Sequence, residues 1–142
     1  MFPFRDHNPS GRTPYVTYTL IALNVLIFLS YWAELNNARS MNTLLLDWAM
    51  VPAFISNGHG QAGLLTSIFL HGGVMHLLGT MLFLYIFGDN IEDELGSVKF
   101  LGFYLAGGLM ANLAPHEIAP GSAVPVIGAS GAVASVMGAY LL

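Results

Sequence analysis

Uncharged apolar stretches alternate along the chain with short segments that are polar or rich in proline and glycine. A helix that crosses a bilayer needs about 20 predominantly apolar residues. On this basis we predict membrane spans at residues 15–33, 66–88, 99–115 and 128–142, with helix in the second span from about Val74. Residues 129–142 would rise only about 21 Å as a helix, whereas the hydrocarbon core is about 30 Å thick. We therefore expect the fourth helix to be truncated.

Residues 34–63 connect the first two spans, and their apolar piece is too short to cross the membrane. Their larger apolar residues nevertheless recur at helical spacing, with Pro52 as an interruption: Leu44, Leu45, Trp48, Val51, Phe54 and Ile55. This pattern predicts an amphipathic segment that lies in the membrane interface, anchored by Trp48. A partly ordered polar loop is the alternative.

The ends of the predicted spans carry recognisable signals. Thr13-Pro14 is typical of a helix start, Gly96 of a helix end, and Ser97 of the cap of the next helix. The acidic run Asp89, Glu92, Asp93 and Glu94 predicts a solvated helix exit, with a cation site as the alternative. Small residues in the third span predict close helix packing: Gly102, Ala106, Gly107 and Gly108.

The few basic residues predict an orientation in the membrane. An N-terminus on the inside leaves Arg5, Arg12 and Lys99 in the cytoplasm and Arg39 outside, which follows the positive-inside rule. The second and fourth spans then both run from outside to inside. His76 and Ser130, which are near the starts of these spans, are expected at similar depth below the outer surface.

Composition narrows the function classes further. The chain is 55% hydrophobic and 8% charged, whereas soluble domains carry about 25% charged residues. An unusually apolar soluble domain is the alternative for the whole chain, and a cleaved signal peptide is the alternative for the first apolar stretch. The net charge of −4 does not indicate a nucleic-acid-binding protein. The absence of cysteine excludes disulfides and thiol catalysis.

Ser130 is a candidate nucleophile because it follows a Pro/Gly loop and begins the predicted fourth helix. Free N–H groups and the positive end of the helix dipole would there stabilise an oxyanion, and Gly128 and Gly131 allow close backbone approach. The alternative is an ordinary packing face made of Ser130, Ala134 and Gly138.

Two histidines lie in or beside the second span, where ionisable residues indicate function. His76 and Thr80 are four residues apart and share a helix face. His71 and His76 would be about 140° apart on a helix, which makes a poor metal pair. A metal site and a structural histidine bonded to a neighbouring helix are the alternatives.

Taken together, these motifs resemble those of bacterial rhomboid proteases over nearly the whole chain. The resemblance is carried by residues 69–79 (FLHGGVMHLLG), 87–93 (FGDNIED), 128–132 (GASGA), Arg5-Asp6-x-Asn8-Pro9 and Pro14-Tyr15-Val16-Thr17. It implies an all-α, polytopic membrane helix bundle, of which this chain holds the first four helices of a six-helix core.

The resemblance also implies a function and a set of site residues. The expected activity is that of an intramembrane serine endopeptidase of the cell (inner) membrane, acting on transmembrane substrates without a cofactor or metal. Ser130 matches the nucleophile, Gly128 the nucleophile loop and His76 an oxyanion-hole residue, while Glu92 and Gly96 match a structural Glu-x-x-x-Gly pattern.

The chain departs from this family pattern at two points. Thr80 stands where the family usually has an asparagine that donates to the oxyanion. A threonine hydroxyl can also donate one hydrogen bond to the oxyanion, but it is shorter and can be diverted to its own helix carbonyls. The family's base, a histidine on the sixth helix, has no match among the histidines of this chain. A catalytically inactive rhomboid-like protein that binds transmembrane helices, or a purely structural membrane protein, are the alternative functions.

Overall fold

The computed structural model describes residues 13–141 and shows helices joined by turns. Two short 3₁₀ segments, Trp32–Asn36 and Ser67–Phe69, accompany the α-helices. The α-helices are α1 Tyr15–Ser30, α2 Ala38–Trp48, α3 Pro52–Ser56, α4 Gly63–Thr66, α5 Val74–Leu95, α6 Ser97–Ile118 and α7 Ser130–Leu141. Arg5, Arg12 and the Arg5–Pro9 motif, on which part of the sequence argument rests, lie outside the described residues.

Two helices, α5 and α6, are long and apolar enough to cross a membrane, and α1 and α7 are shorter apolar helices. Only 39% of the apolar stretch of α5 and 22% of that of α6 is buried inside the protein. The core helix of a soluble protein would be mostly buried, so these outward apolar faces are suited to lipid. The prediction of an all-α membrane helix bundle is confirmed.

The observed helix ends differ in part from the predicted spans. Helix α5 begins at Val74 as predicted, but it continues through the acidic run to Leu95. Residues 66–73 are not part of it, because the chain passes through a 3₁₀ turn and an extended Gly73 first. Helix α7 begins at Ser130, two residues after the predicted start of the fourth span.

Helices α5 and α7 run side by side in the same direction. At their starts, the His76 ring lies against Gly128, just before α7. Towards their ends, the rings of Phe87 and Tyr140 meet edge to face with centroids 4.9 Å apart. The common direction and the matched depth of His76 and Ser130, both predicted from sequence, therefore hold within the bundle.

The prediction of a solvated acidic exit is wrong for Glu92, which is only 3% exposed. Its carboxylate accepts hydrogen bonds from the N–H of Val16 (2.9 Å), from the N–H and hydroxyl of Thr17 (2.7 and 2.8 Å) and from the hydroxyl of Ser97 (2.7 Å). The positive N-terminal end of α1 thus compensates the buried charge. Because the Ser97 hydroxyl is used here, Ser97 is not the cap of α6; Gly96, with φ of 83°, ends α5 and precedes α6.

The connecting region is folded against the loop that precedes α7. Helix α2 has half-buried Leu44 and Leu45 and an exposed Trp48, as expected of an amphipathic interfacial helix. Met50 and Val126 exchange two backbone hydrogen bonds of 3.1 and 2.8 Å. These bonds hold the loop before Ser130 against the connection between α1 and α5.

The predicted close packing of the third span is found on one part of α6. A β-carbon on Gly107 would collide with Ser135 of α7, and one on Gly108 would collide with Ile68. Gly102 has open space around it, and Ala106 is exposed. Close packing in α6 therefore depends on two of the four small residues, Gly107 against α7 and Gly108 against the 3₁₀ segment at Ile68.

Gly107→Leu is expected to destabilise the protein by about 2 to 3 kcal/mol, since an overpacked interface must separate α6 from α7. Gly102→Leu is the matched control on the same helix and is expected to change the free energy of unfolding by less than about 0.5 kcal/mol. Denaturant unfolding of both variants in mixed micelles measures the difference. Equal stability of the two variants would contradict the packing described above.

Candidate active site

The loop before α7 is held by two backbone N–H groups that donate to neighbouring elements. The N–H of Gly128 donates to the carbonyl of Ser67 at 2.9 Å, and the N–H of Ala129 reaches Nε2 of His71 at 3.5 Å. The first hydrogen bond of the helix runs from Val133 to the carbonyl of Ala129. The N–H groups of Ser130, Gly131 and Ala132 therefore precede the helical ladder and point out of the start of α7.

Gly128 lies beside both the hydroxyl of Ser130 and the ring of His76. Its φ of 118° lies in the region that favours glycine. A β-carbon at this position would lie 3.0 and 3.2 Å from Cε1 and Nε2 of His76, and 3.7 Å from Oγ of Ser130. The absent side chain thus leaves room for an atom beside a hydroxyl and a ring nitrogen.

This point opens into a cavity of about 400 Å³ between α5 and α7. Helix α5 contributes His76, Thr80 and Phe83 among others, and α7 contributes Ser130 and Ala134. The structure therefore brings together the four residues singled out in the sequence, Ser130, His76, Thr80 and Gly128.

Among the described residues, no helix packs on the face formed by Ser130, Ala134 and Gly138. All three residues are exposed, and a β-carbon on Gly138 would meet nothing within 4 Å. Helix α7 packs on α6 through other residues, with Gly131 against Ala111 and Ser135 against Gly107. The Ser130 face is left open towards the cavity.

Thr80 lines the cavity, but its hydroxyl already donates a hydrogen bond within α5. Its Oγ1 donates to the carbonyl of His76, four residues earlier, at 2.8 Å. Threonine often makes this bond in helices. In this conformation the hydroxyl proton is directed at the helix backbone and not at an oxyanion beside Ser130.

Thr80→Val is therefore expected to change the turnover number by less than about threefold, because the bond that it removes is to the helix backbone. Thr80→Asn is expected to raise turnover, since a side-chain amide would add a donor, and one such donor is typically worth about 100- to 1000-fold. The turnover of a transmembrane substrate by the full-length variants measures both effects. A loss of more than about 100-fold in Thr80→Val would show that the hydroxyl itself serves the oxyanion.

His71 also lies at the candidate site. From the sequence it was considered only together with His76, as one of two poorly placed metal ligands. It is fully buried, its Nε2 faces the N–H of Ala129, and its ring lies edge to face with that of His76 at 5.0 Å. The hydroxyl of Tyr31 bonds both the N–H and the carbonyl of His71 at 2.7 Å. The helical spacing argument failed because α5 begins only at Val74, so His71 and His76 do not share a helix. Among the described residues no cluster suited to a metal ion is found.

A second serine and histidine lie together at the surface, but their geometry is not that of a catalytic pair. Ser56 Oγ is 3.0 Å from Nε2 of His116, and Glu117 lies 3.7 Å from the other ring nitrogen. The single hydroxyl proton of Ser56 is donated to the carbonyl of Pro120 at 2.6 Å. His116 must then donate to Ser56 rather than accept its proton, so this cluster fastens α3 to the end of α6.

Comparison of the sequence with known protein families gives a match that covers these helices. Residues 59–142, which include α5, α6, α7 and the cavity between them, match the model of the Rhomboid domain. The chain belongs to the rhomboid family. The resemblance inferred from the sequence motifs is confirmed.

Curated relatives of this rhomboid-family chain include proteins from bacteria and animals. It is 36% identical over 129 residues to rhomboid protease GluP of Bacillus subtilis, an alignment that covers 90% of this chain and 24% of that protein. It is 37% identical over 78 residues to the putative rhomboid protease YdcA of the same organism, covering 55% of this chain and 39% of that protein. It is 30% identical over 125 residues to the human mitochondrial presenilin-associated rhomboid-like protein, covering 84% and 30%. The rhomboid chain thus spans less than half the length of each of these relatives.

Proposed function

We propose that this chain carries the nucleophile and the oxyanion-stabilising groups of an intramembrane serine endopeptidase that cleaves transmembrane segments of other membrane proteins. The observation that carries the proposal is that His76 Nε2 and Ser130 Oγ lie 3.2 and 3.7 Å from one point beside Gly128, where a β-carbon would stand, just before α7. The kinship with GluP, named a rhomboid protease, supports the same activity.

In the proposed reaction, Ser130 Oγ attacks the carbonyl carbon of the scissile peptide, and its proton passes to a base. The carbonyl oxygen becomes an oxyanion, which the N–H of Ser130 and the N–H of His76 Nε2 stabilise. Collapse of the intermediate expels the amine, which takes up the proton from the base. Water then attacks the acyl-enzyme ester and releases Ser130.

The base is proposed to be a histidine of the full-length protein that packs on the open face of α7. The family resemblance implies such a histidine on a sixth helix. The exposed face of Ser130, Ala134 and Gly138 has small residues, which would let a further helix approach the nucleophile closely. Within the described chain, no histidine other than His71 and His76 lies near Ser130, and His71 is occupied with Ala129.

The proposed setting is the cell (inner) membrane with the N-terminus in the cytoplasm. This orientation is supported by Lys99, which follows the end of α5, and by Arg39, which lies in the connection at the opposite end of the bundle. Ser130 and His76 would then open towards the outer face. Substrates would be single-span helices with small or helix-destabilising residues near the cleavage point.

A second candidate function is a catalytically inactive member that binds transmembrane helices. The engagement of the Thr80 hydroxyl with the His76 carbonyl favours it, because one expected oxyanion donor is then missing. This function requires the cavity but not the hydroxyl of Ser130.

Cleavage of a model single-span substrate by the full-length protein in liposomes separates the two functions. Ser130→Ala is expected to reduce cleavage below detection, because the nucleophile is removed. Ser135→Ala is the matched control on the opposite face of the same helix, where the hydroxyl only bonds the carbonyl of Gly131, and it is expected to keep at least about a third of the activity. Cleavage that persists in Ser130→Ala would refute the proposed function. A wild-type protein that binds the substrate without cleaving it would favour the inactive alternative.

A further inference from the structure

A groove lies between the end of α1 and the interfacial helix α2, away from the candidate active site. Its inner part is a cavity of about 370 Å³ lined by apolar side chains such as Ile27, Leu44 and Phe69. A second, open cavity of about 590 Å³ continues from it, sharing Tyr31, Leu44 and Trp48 as walls. The two cavities form one groove, here called the α1–α2 groove, with an apolar end and a polar end.

The polar end carries charges of both signs that have no ionic partner in the described chain. Arg39, Glu34 and Asp47 line it, and none of them is within ion-pair distance of an opposite charge among residues 13–141. One guanidinium and two carboxylates give the polar end a net charge of −1. A ligand that satisfies all three groups must present an anion and a cation close together.

We propose that the α1–α2 groove binds a phospholipid with an ammonium-bearing headgroup, of the phosphoethanolamine type. The apolar cavity takes acyl chain, Arg39 binds the phosphate, and Glu34 and Asp47 accept hydrogen bonds from the primary ammonium. The net charge of −1 disfavours a headgroup that is purely anionic. A quaternary ammonium cannot donate hydrogen bonds to the carboxylates, so a choline headgroup is also disfavoured.

The position of the groove in the bundle agrees with a lipid occupant. It lies at the C-terminal end of α1, beside a helix with an exposed Trp48, where an interfacial residue meets lipid headgroups. Large apolar side chains of α1 beside it, Leu26 and Leu29, are exposed and continue the apolar surface into the membrane.

The groove is linked to the nucleophile loop through one side chain. Tyr31 lines both cavities. Its buried hydroxyl accepts from the N–H of His71 and donates to the carbonyl of His71, each at 2.7 Å. His71 in turn faces the N–H of Ala129, next to Ser130. A lipid that packs against Tyr31 would therefore stabilise the arrangement of this loop.

Native mass spectrometry of the full-length protein, released from detergent with added lipid, tests the binding. Phosphatidylethanolamine, phosphatidylglycerol and phosphatidylcholine with identical acyl chains are titrated separately. We expect phosphatidylethanolamine to bind about 10-fold more tightly than the other two, the value of one charged hydrogen bond. The double variant Glu34→Gln/Asp47→Asn is expected to lose this preference. Arg39→Gln is expected to weaken the binding of all three lipids. Glu117→Gln, which alters an exposed carboxylate elsewhere, is the matched control and should keep the preference.

Equal binding of the three lipids by the wild type, or a preference that survives in Glu34→Gln/Asp47→Asn, would overturn the proposal. The altered residues lie at the surface of the connecting region, so the variants are expected to fold. An unchanged melting temperature verifies this. Lipid binding is measured without substrate and in the absence of any cleavage. The outcome is therefore independent of the proposed protease function.

Discussion

Gly128→Ala is expected to reduce cleavage by the full-length protein about 1000-fold, a loss comparable to that of an oxyanion-hole donor. The new methyl group would occupy the space between Nε2 of His76 and Oγ of Ser130, 3.0 Å from the nearest atom of the His76 ring. The φ of 118° adds strain, because a residue with a β-carbon rarely adopts it. Relief of that strain would rotate the loop that carries the N–H groups before α7.

Gly121→Ala is the matched control for this prediction. It lies in the same loop, its β-carbon would meet nothing within 4 Å, and its φ is not in the strained region. Both variants are assayed for turnover and for melting temperature, so that loss of the fold is separated from loss of the site. A Gly128→Ala protein that is folded and retains more than about a tenth of wild-type turnover would contradict the assigned geometry.

Glu92→Ala is expected to lower the free energy of unfolding by about 3 to 5 kcal/mol, because several buried donors lose a charged acceptor, each at a cost of about 1 to 3 kcal/mol. The N–H groups of Val16 and Thr17 would lose their acceptor at the start of α1. The hydroxyl of Ser97 would lose its acceptor at the start of α6. One substitution thus loosens the contact of three helices.

Glu94→Ala serves as the control for Glu92, since this neighbouring carboxylate on the same helix is exposed. Reversible unfolding in mixed micelles, followed by circular dichroism, gives the two free energies. We expect Glu94→Ala to stay within about 0.5 kcal/mol of the wild type. If Glu92→Ala were equally mild, the carboxylate would not hold α1, α5 and α6 together.

Much of the candidate site follows from local sequence signals. A serine after a Pro/Gly loop predicts a helix start near Gly128 with Ser130 in its first turn, and the polar His76 near the start of another apolar stretch predicts a second group at the same depth. Glycine is required at position 128, where the loop makes its closest approach to the ring of His76. These features depend on residues near each other in the chain, which explains why they can be inferred without coordinates.

The features that sequence reasoning missed depend on partners far away in the chain. The family resemblance implied a structural role for Glu92, but the local acidic pattern predicted a solvated carboxylate, because its donors at Val16 and Thr17 are about 75 residues earlier. His71 was judged on helical spacing, although the backbone there is not helical and its acceptor nitrogen serves Ala129, 58 residues later. A tertiary contact decides the environment of such polar groups, and the local pattern does not contain it.

The side-chain conformation of Thr80 illustrates the same limit on a smaller scale. The residue type and its place on the face of His76 could be read from the sequence. Which acceptor its hydroxyl chooses depends on a rotamer, and the structure gives the His76 carbonyl. The effect of this departure from the family pattern is therefore a matter of side-chain geometry.

The central claim is that the oxygen of Ser130 is an activated nucleophile beside His76. Labelling of the full-length protein in liposomes with a fluorophosphonate probe, followed by peptide mass spectrometry, tests it most directly. The account predicts one phosphonylated residue, Ser130, and loss of labelling in Gly128→Ala but not in Gly121→Ala. An unlabelled protein that is folded in the bilayer, or a label carried by another serine such as Ser56, would contradict it.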